Sequence, residues 1–266
     1  NFDAYFWLRK DTTMLTQSQK QEFYRNGFLK VAGVVPRLMV DAARQSINHS
    51  IGSIGKHQAN EERYLAPAFC SELKENLVLT DLFNRTPVMR VAEALMGSDN
   101  VMPCSGAQIA LRFPSQPGSE ATKPGGHLDG LGNGSNSMAK GVYRRGFTIF
   151  AVVYLSDVPD ENFGNFTVWP KSHSFFEDYF KKEGHQMLAN GMPRLDLPCE
   201  AVQVTGEAGD LIVAHHQSVH CGGPNISPDV RYAAIARLQH IECAQNGYEA
   251  YTDIWREFPA VRQAIA

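Results

Sequence analysis

Apolar residues recur at helical spacing through the first hundred residues of the chain. Thr16 and Gln19 match a capping box, in which each side chain binds a backbone amide of the other residue, so we expect a helix to begin there. Gly27 is a natural C-terminal cap for that helix. The pattern then predicts a short strand over 28–31 and a second helix, opened by a proline, over 36–47.

From about Val101 the pattern changes to short apolar runs between glycine, proline and polar loops, after one or two helices predicted over 71–96. No long helix is predicted between these runs, so the sheets that they form should be antiparallel. About eight such strands predict a mainly β fold with flanking helices, built on a cupin-like jelly roll of two sheets. The predicted strands after Val101 cover 107–113, 147–155, 165–169, 201–204, 210–214 and 231–238.

The length and composition fit one domain with a sizeable core. The chain has 266 residues, and its 43% hydrophobic and 20% charged residues are values of an ordinary globular domain. No repeat or linker divides it. We expect a single domain over 1–266, with a mostly helical part over 1–100, a jelly-roll core over 101–240 and a C-terminal tail over 241–266.

Charge and cysteine content narrow the class of partner. The formal net charge of −3 gives no overall attraction to nucleic acid or to anionic membranes. Five scattered cysteines without a C-x-x-C motif indicate a reduced, cytoplasmic protein rather than a disulfide-bonded one. No apolar run approaches the roughly 18–20 residues that span a bilayer. A small-molecule substrate is therefore the expected partner.

Candidate metal ligands appear first at His127 and Asp129, which are separated by one residue. On a strand, side chains two residues apart point to the same face, so the imidazole and the carboxylate converge about 6–7 Å apart along the chain. Short patterns of this kind also occur on ordinary surface strands, and that alternative stays open for the pair alone.

A third candidate ligand, His220, follows an apolar run over 210–214 and stands just before a Gly-Gly-Pro turn. A histidine in this position sits at the mouth of a barrel, where it can meet ligands from another strand. Two histidines and one carboxylate form the facial triad of non-haem iron(II) oxygenases, which leaves the other face of the metal open. A structural zinc site would close its fourth position, usually with cysteine, and none of the five cysteines has that spacing.

Arg231 lies eleven residues after His220, at the start of the next predicted strand. If the two strands pair as a hairpin, its guanidinium enters the cavity that holds the metal. A planar guanidinium matches the carboxylate of an anionic co-substrate with two parallel hydrogen bonds, whereas an ion pair at the rim is the ordinary alternative. Arg237 has the same facing but lies about 20 Å along the strand, so we expect it to be solvated or paired with an acid.

Four segments, in order along the chain, resemble the phytanoyl-CoA dioxygenase family of iron(II)- and 2-oxoglutarate-dependent oxygenases. The resemblance covers most of the chain. It implies a double-stranded β-helix core, iron bound by His127, Asp129 and His220, and 2-oxoglutarate paired with Arg231. The segments are 15–29, the His127-x-Asp129 pair, 157–173, and a last run from Gly209-Asp210 through His220-x-Gly-x-Pro-Asn225 to Arg231.

Four further positions near the expected cavity either depart from the family pattern or are candidates to contact the co-substrate. Lys171 stands where the family usually has glycine, and Gly222 where it often has a small polar residue, which removes a hydroxyl contact to the co-substrate. Gln108 and Thr148 lie on strands that should line the cavity. Either can hydrogen-bond the co-substrate, and the alternative for each is a partner within the core or a loop.

Other polar residues are expected to serve the structure more than the chemistry. His215 is expected to be packed or to support the site, His173 to fix a loop, and His216 has a minor prospect of facing the substrate. The segments 115–126 and 130–141, rich in small and polar residues, are expected as loops that admit a substrate or as plain surface loops. A basic group around them forms either a positive rim for an anionic substrate or a solvated rim. Its members are Arg112, Lys123, Arg144 and Arg145.

The residues and the resemblance together predict an Fe(II)- and 2-oxoglutarate-dependent dioxygenase. We expect it to hydroxylate a C–H bond of a small metabolite with release of succinate and CO2, using O2 and, as an optional reductant, ascorbate. Two alternatives stay open. One is a non-catalytic metal-binding jelly roll, and the other is a cupin-type zinc or nickel enzyme that does not use 2-oxoglutarate. Formation of succinate from 2-oxoglutarate separates them.

Overall fold

A computed structural model describes residues 14–54, 69–130, 145–192 and 194–266 of the chain. Short 3-10 turns stand between some of its helices. None of the helices in these ranges is long and apolar enough to cross a membrane. The helices are α1 (Gln17–Asn26), α2 (Arg37–Ile54), α3 (Leu77–Asn84), α4 (Val88–Met96), α5 (Ser172–Glu183), α6 (Cys243–Asn246) and α7 (Pro259–Ile265).

The strands of the described residues form two sheets in which every pairing is antiparallel, as predicted. They are β1 (Phe28–Val31), β2 (Ala107–Arg112), β3 (Ile149–Tyr154), β4 (Phe166–Val168), β5 (Val202–Val204), β6 (Leu211–His215), β7 (His220–Gly222) and β8 (Arg231–Leu238). The larger sheet has the order β1-β6-β3-β8-β2, and the smaller one has the order β5-β4-β7.

The entry into the larger sheet confirms the predicted start and end of α1. The Thr16 hydroxyl accepts a hydrogen bond from the Gln19 amide, and the Gln19 side chain accepts one from the Thr16 amide. Gly27 ends the helix with φ of 78°, in the left-handed region that glycine adopts without steric cost. The second helix was predicted too short, because α2 continues beyond residue 47.

The larger sheet is buried on both faces. Side chains alternate along a strand, so β3 sends Ile149, Ala151 and Val153 outward to the core under the helices. The intervening Phe150 and Val152 point inward to a second core, which the side chains of β4 complete from the smaller sheet. The inner space between the two sheets is therefore lined mostly by apolar side chains.

Two predictions about connectivity were wrong. The helix α5 spans 12 residues between β4 and β5, where no long helix was expected. It begins after Lys171, which has φ of 63° and makes no side-chain cap, so no capping pattern marks its start. A left-handed φ is one that glycine adopts without steric cost and that a lysine adopts only with strain.

The second correction concerns the strands of His220 and Arg231, which do not form the predicted hairpin. β7 pairs with β4 in the smaller sheet, whereas β8 pairs with β2 and β3 in the larger sheet. Arg231 still faces the inner space, because alternate residues of β8, Ala233 and Ile235, belong to the inner core. The predictions for residues 131–141 and for Arg144 lie outside the described ranges.

Candidate metal centre

The three predicted ligands lie together at one end of the inner space. His127, Asp129 and His220 each offer a ligand atom, and these atoms lie within 4.8 Å of one another. The Asp129 Oδ1 atom is 3.4 Å from His127 Nε2 and 3.8 Å from His220 Nε2. The backbones of His127 and His220 exchange two hydrogen bonds of 3.0 Å, which hold the two chain segments in register.

Leu128 shows that the His127-x-Asp129 segment alternates like a strand. Its side chain is fully buried in a separate apolar cluster with Phe176 and Val219, on the opposite side from the two ligands. This anchor fixes the direction of both neighbours, because successive side chains of an extended segment point to opposite faces. The alternative prediction for His127 and Asp129 was a surface strand with two polar side chains. The buried Leu128 between them is not compatible with that alternative.

The ionisation states suit metal binding. Burial alone raises the pKa of Asp129, but the hydrogen bond to His127 and the charges of His220 and Arg237 outweigh it, so the pKa lies well below its ordinary range. Burial, with the neighbouring His127, lowers the pKa of His220 to about 4. A neutral imidazole beside a carboxylate is the form that a metal ion requires of its ligands.

His220 is held in one orientation and one tautomer. Its Nδ1 atom lies 3.0 Å from the backbone oxygen of Ser218, which only accepts, so Nδ1 carries the hydrogen and Nε2 keeps its lone pair for a metal. The rings of Phe150 and Phe166 lie 4.3 and 5.7 Å from the imidazole. These aromatic walls keep the inner side of the centre apolar.

Arg237 contacts the candidate carboxylate ligand directly. Its Nε donates to Asp129 Oδ2 at 2.6 Å, and its Nη1 donates to the side-chain oxygen of Gln108 at 3.0 Å. Oδ1, the oxygen nearer the two imidazoles, is left for a metal. Sequence reasoning expected Arg237 to be solvated or paired with an acid, but it did not foresee that the acid is a candidate ligand.

We expect Arg237→Gln to weaken metal binding by roughly 10- to 100-fold, because the carboxylate loses the contact that orients it. Arg237→Lys retains the charge without the fixed Nε contact, so it should recover only part of the affinity. The measurement is calorimetric titration with Mn(II) in the absence of oxygen-dependent turnover.

Arg256→Gln is the matched control for Arg237, since Arg256 also pairs with a carboxylate, that of Glu249. It should bind Mn(II) like the wild-type protein. Wild-type affinity in Arg237→Gln would show that the contact to Asp129 does not support the centre.

Arg231 is a buried cation further along the inner face of β8. Only 5% of it is exposed, and burial lowers the pKa of its guanidinium to about 10. Its Nε donates to the backbone oxygen of Gly164 at 2.5 Å and its Nη1 to that of Ala110 at 2.9 Å. Within the described ranges, no carboxylate lies within 4.0 Å of this guanidinium. Within the described residues, Arg231 therefore does not form the ion pair at the rim that was the alternative prediction.

Thr148, predicted to line the cavity, and Arg145, predicted in a basic rim, each have a partner in the C-terminal segment. The Thr148 hydroxyl donates to Glu257 Oε2 at 2.6 Å and accepts from the His240 amide at 2.9 Å. Arg145 was expected in an exposed basic rim, but it is buried in an ion pair with Glu257. Both contacts involve the C-terminal segment, whose position the sequence did not indicate.

The remaining histidines of this region are packed, as expected for His173 and His215. The Nε2 atom of His173 lies 3.0 Å from the Tyr24 backbone oxygen, and that of His215 lies 3.0 Å from the Ile254 oxygen. His216 is buried and lies against the rings of His215 and Phe147. Among the residues that the structure describes, the metal-binding group contains none of these three.

Two antiparallel sheets with a His-Asp-His cluster fit the class of mononuclear non-haem metal proteins with a facial triad. The chain belongs to the phytanoyl-CoA dioxygenase family, because the family model described as Phytanoyl-CoA dioxygenase (PhyH) matches residues 23–233. No curated protein matches the chain in sequence.

Solved structures share the fold at low sequence identity. One is the non-heme alpha-ketoglutarate-dependent carbocyclase SnoK from nogalamycin biosynthesis, with a TM-score of 0.55, 16% identity and 85% of each chain covered. Another is a nickel complex of the non-heme monooxygenase ThoJ, with a TM-score of 0.53, 18% identity, and 84% of this chain and 79% of that chain covered. At these identities the likeness shows the fold alone.

Proposed function

We propose that the protein is an Fe(II)- and 2-oxoglutarate-dependent oxygenase that hydroxylates a C–H bond of a small metabolite, with release of succinate and CO2. Iron is held by His127, Asp129 and His220, and the distal carboxylate of 2-oxoglutarate by Arg231. The two sheets are, in this proposal, the double-stranded β-helix core of the family. The family membership of the chain supports the class of reaction.

The observation that carries the proposal is that a three-ligand centre and a buried guanidinium both adjoin the inner core between the two sheets, and that no carboxylate of the described residues pairs with this guanidinium. Arg231 donates to Gly164, and Gly164 stands two residues before Phe166, whose ring stacks on His220 at 5.7 Å. Arg231 and His220 thus both lie beside the start of β4. In this proposal, one dicarboxylate extends from the metal to Arg231.

The side of the Arg231 guanidinium that does not bind backbone oxygens can bind a carboxylate. Nε and one hydrogen of Nη1 are used by backbone oxygens, which fix the plane of the fork. The other Nη1 hydrogen and Nη2 can then donate two parallel hydrogen bonds to one carboxylate. A buried anion binds tightly to a cation that is already oriented, because little conformational freedom is lost on binding.

Bound iron and 2-oxoglutarate supply the oxidation of a C–H bond, coupled to decarboxylation of the co-substrate. The chain holds and orients these groups. Arg237 keeps Asp129 in place, Ser218 sets the tautomer of His220, and Phe150 excludes water from the inner side. Gln108 stays in the proposed co-substrate site beside Arg237, whereas Thr148 is left out because its hydroxyl already has two partners.

The proposal is tested by incubating the purified protein with Fe(II), 2-oxoglutarate, O2 and ascorbate and measuring succinate. We expect slow succinate formation that requires both iron and 2-oxoglutarate. A mass-spectrometric screen of small metabolites should then find one that gains a single oxygen atom and accelerates succinate formation. Absence of succinate from an iron-loaded protein would favour a binding module, and turnover of a metabolite with Zn(II) or Ni(II) alone would favour a cupin-type enzyme.

A further inference from the structure

Arg112 and Arg231 stand directly opposite each other in neighbouring strands of the larger sheet. Like charges in directly opposed positions repel and destabilise a sheet unless an anion lies between them. No carboxylate of the described part of the chain lies within 4.0 Å of either guanidinium. The charge of Arg112 contributes to lowering the pKa of Arg231, after the larger effect of burial.

Gly222 shows where the Arg112 guanidinium lies. A Cβ atom added at Gly222 would stand 2.4 Å from Arg112 Nε and 2.5 Å from Nη2. Gly222 comes two residues after His220 on β7, so its Cβ direction points to the same inner space as the candidate ligand. The Arg112 guanidinium therefore lies beside β7, on the side of that strand to which His220 points.

Gly164 makes room for both arginines. It has φ of 76°, and a Cβ atom there would stand 2.8 Å from the Cβ of Arg112 and 3.1 Å from that of Arg231. The side chains of the two arginines thus leave their strands beside the same glycine. Gly164 lies against the side-chain stems of both arginines and Gly222 against the Arg112 guanidinium, so the two glycines accommodate this pair of cations.

We propose that Arg112 binds the distal carboxylate of 2-oxoglutarate together with Arg231. This inference rests on the proposed function, since it assigns a second cation to the same co-substrate site. A carboxylate between the two guanidinium groups relieves their repulsion and receives hydrogen bonds from both. The arrangement selects a dicarboxylate over a 2-oxo acid with an apolar end.

The test measures binding of 2-oxoglutarate to the Mn(II)-loaded protein by calorimetry. Arg112→Ala should weaken binding about 10-fold, because one charge-assisted contact from an exposed arginine is lost. Gly222→Ser should weaken it as well, because its side chain displaces the guanidinium. The double variant Arg112→Ala/Gly222→Ser should bind more tightly than Arg112→Ala alone, since the serine hydroxyl then has the space to reach the carboxylate.

Two controls isolate the contact. Arg90→Ala removes an exposed positive charge from α4 and should bind 2-oxoglutarate like the wild-type protein. The probe 2-oxopentanoate keeps the metal-chelating end of 2-oxoglutarate and lacks the distal carboxylate, so its affinity should be the same for Arg112→Ala and wild type. A loss of 2-oxopentanoate binding in Arg112→Ala would show a general structural role and would overturn the assignment.

The outcomes separate this inference from the proposed function. If Arg231→Ala weakens 2-oxoglutarate binding but Arg112→Ala titrates like the wild-type protein, Arg112 is not part of the site and Arg231 remains. If the wild-type protein does not bind 2-oxoglutarate, both the proposed function and this inference are wrong.

Discussion

Asp129→Ala is expected to abolish turnover and to weaken iron binding by more than about 100-fold. Removal of a residue that only hydrogen-bonds a metal ligand typically weakens metal binding by about 10- to 100-fold. The loss of affinity in Asp129→Ala should be larger, because one of three direct ligands is removed. His127 and His220 would remain, but they cannot neutralise the charge of the metal as a carboxylate does. Iron binding is measured by anaerobic titration, and turnover by succinate formation. The same result is expected for His127→Ala and for His220→Ala.

His215→Ala is the matched control for the ligand variants. His215 is a fully buried histidine five residues before His220, and its contacts are to the Ile254 oxygen and the Gln217 amide. We expect it to bind iron like the wild-type protein while losing about 2–3 kcal/mol of unfolding free energy, so binding is compared at a temperature where both are folded. Near-wild-type iron binding and turnover in Asp129→Ala would show that the ligand assignment is wrong.

Arg231→Ala is expected to weaken binding of 2-oxoglutarate by about 30- to 1,000-fold, or roughly 2–4 kcal/mol, while iron affinity without co-substrate changes little. The effect is large because the guanidinium is buried and a carboxylate bound there would be left without its partner. Arg231→Lys should recover only part of the affinity, since an ammonium group cannot form two parallel bonds.

Arg231 also donates to the Gly164 and Ala110 oxygens, so its removal can disturb the sheet as well. Binding of 2-oxopentanoate separates the two effects, because this probe has no distal carboxylate. It should bind Arg231→Ala and the wild-type protein about equally. Equal loss of both ligands would mean that the variant disrupts the cavity, and an unchanged titration with 2-oxoglutarate would remove the co-substrate assignment.

The sequence predicted those features that local patterns determine. The capping box of Thr16 and Gln19, the cap at Gly27 and the alternation along β8 depend on neighbours within a few residues, and all three appear in the structure. The grouping of His127, Asp129 and His220 was also predicted, because a residue pair on one strand and a histidine near a turn follow simple geometry.

The features that the sequence missed depend on register and on distant segments. The contact of Arg237 with Asp129 joins residues 108 positions apart and requires the actual pairing of the strands. The buried ion pair of Arg145 with Glu257 similarly requires the path of the C-terminal segment. α5 was missed because Lys171 supplies no side-chain cap at its start, and the hairpin was wrong because β7 and β8 lie in different sheets.

The most direct measurement of the central claim is anaerobic titration of the Fe(II)-loaded protein with 2-oxoglutarate, followed by visible absorption. Chelation of iron(II) by the 2-oxo acid produces a metal-to-ligand charge-transfer band, and this band depends on the metal and the co-substrate together. The wild-type protein should develop the band at a stoichiometry of one, Arg231→Ala should require far more 2-oxoglutarate, and Asp129→Ala should show none. A wild-type protein that is fully loaded with iron and shows no band at saturating 2-oxoglutarate would contradict the account.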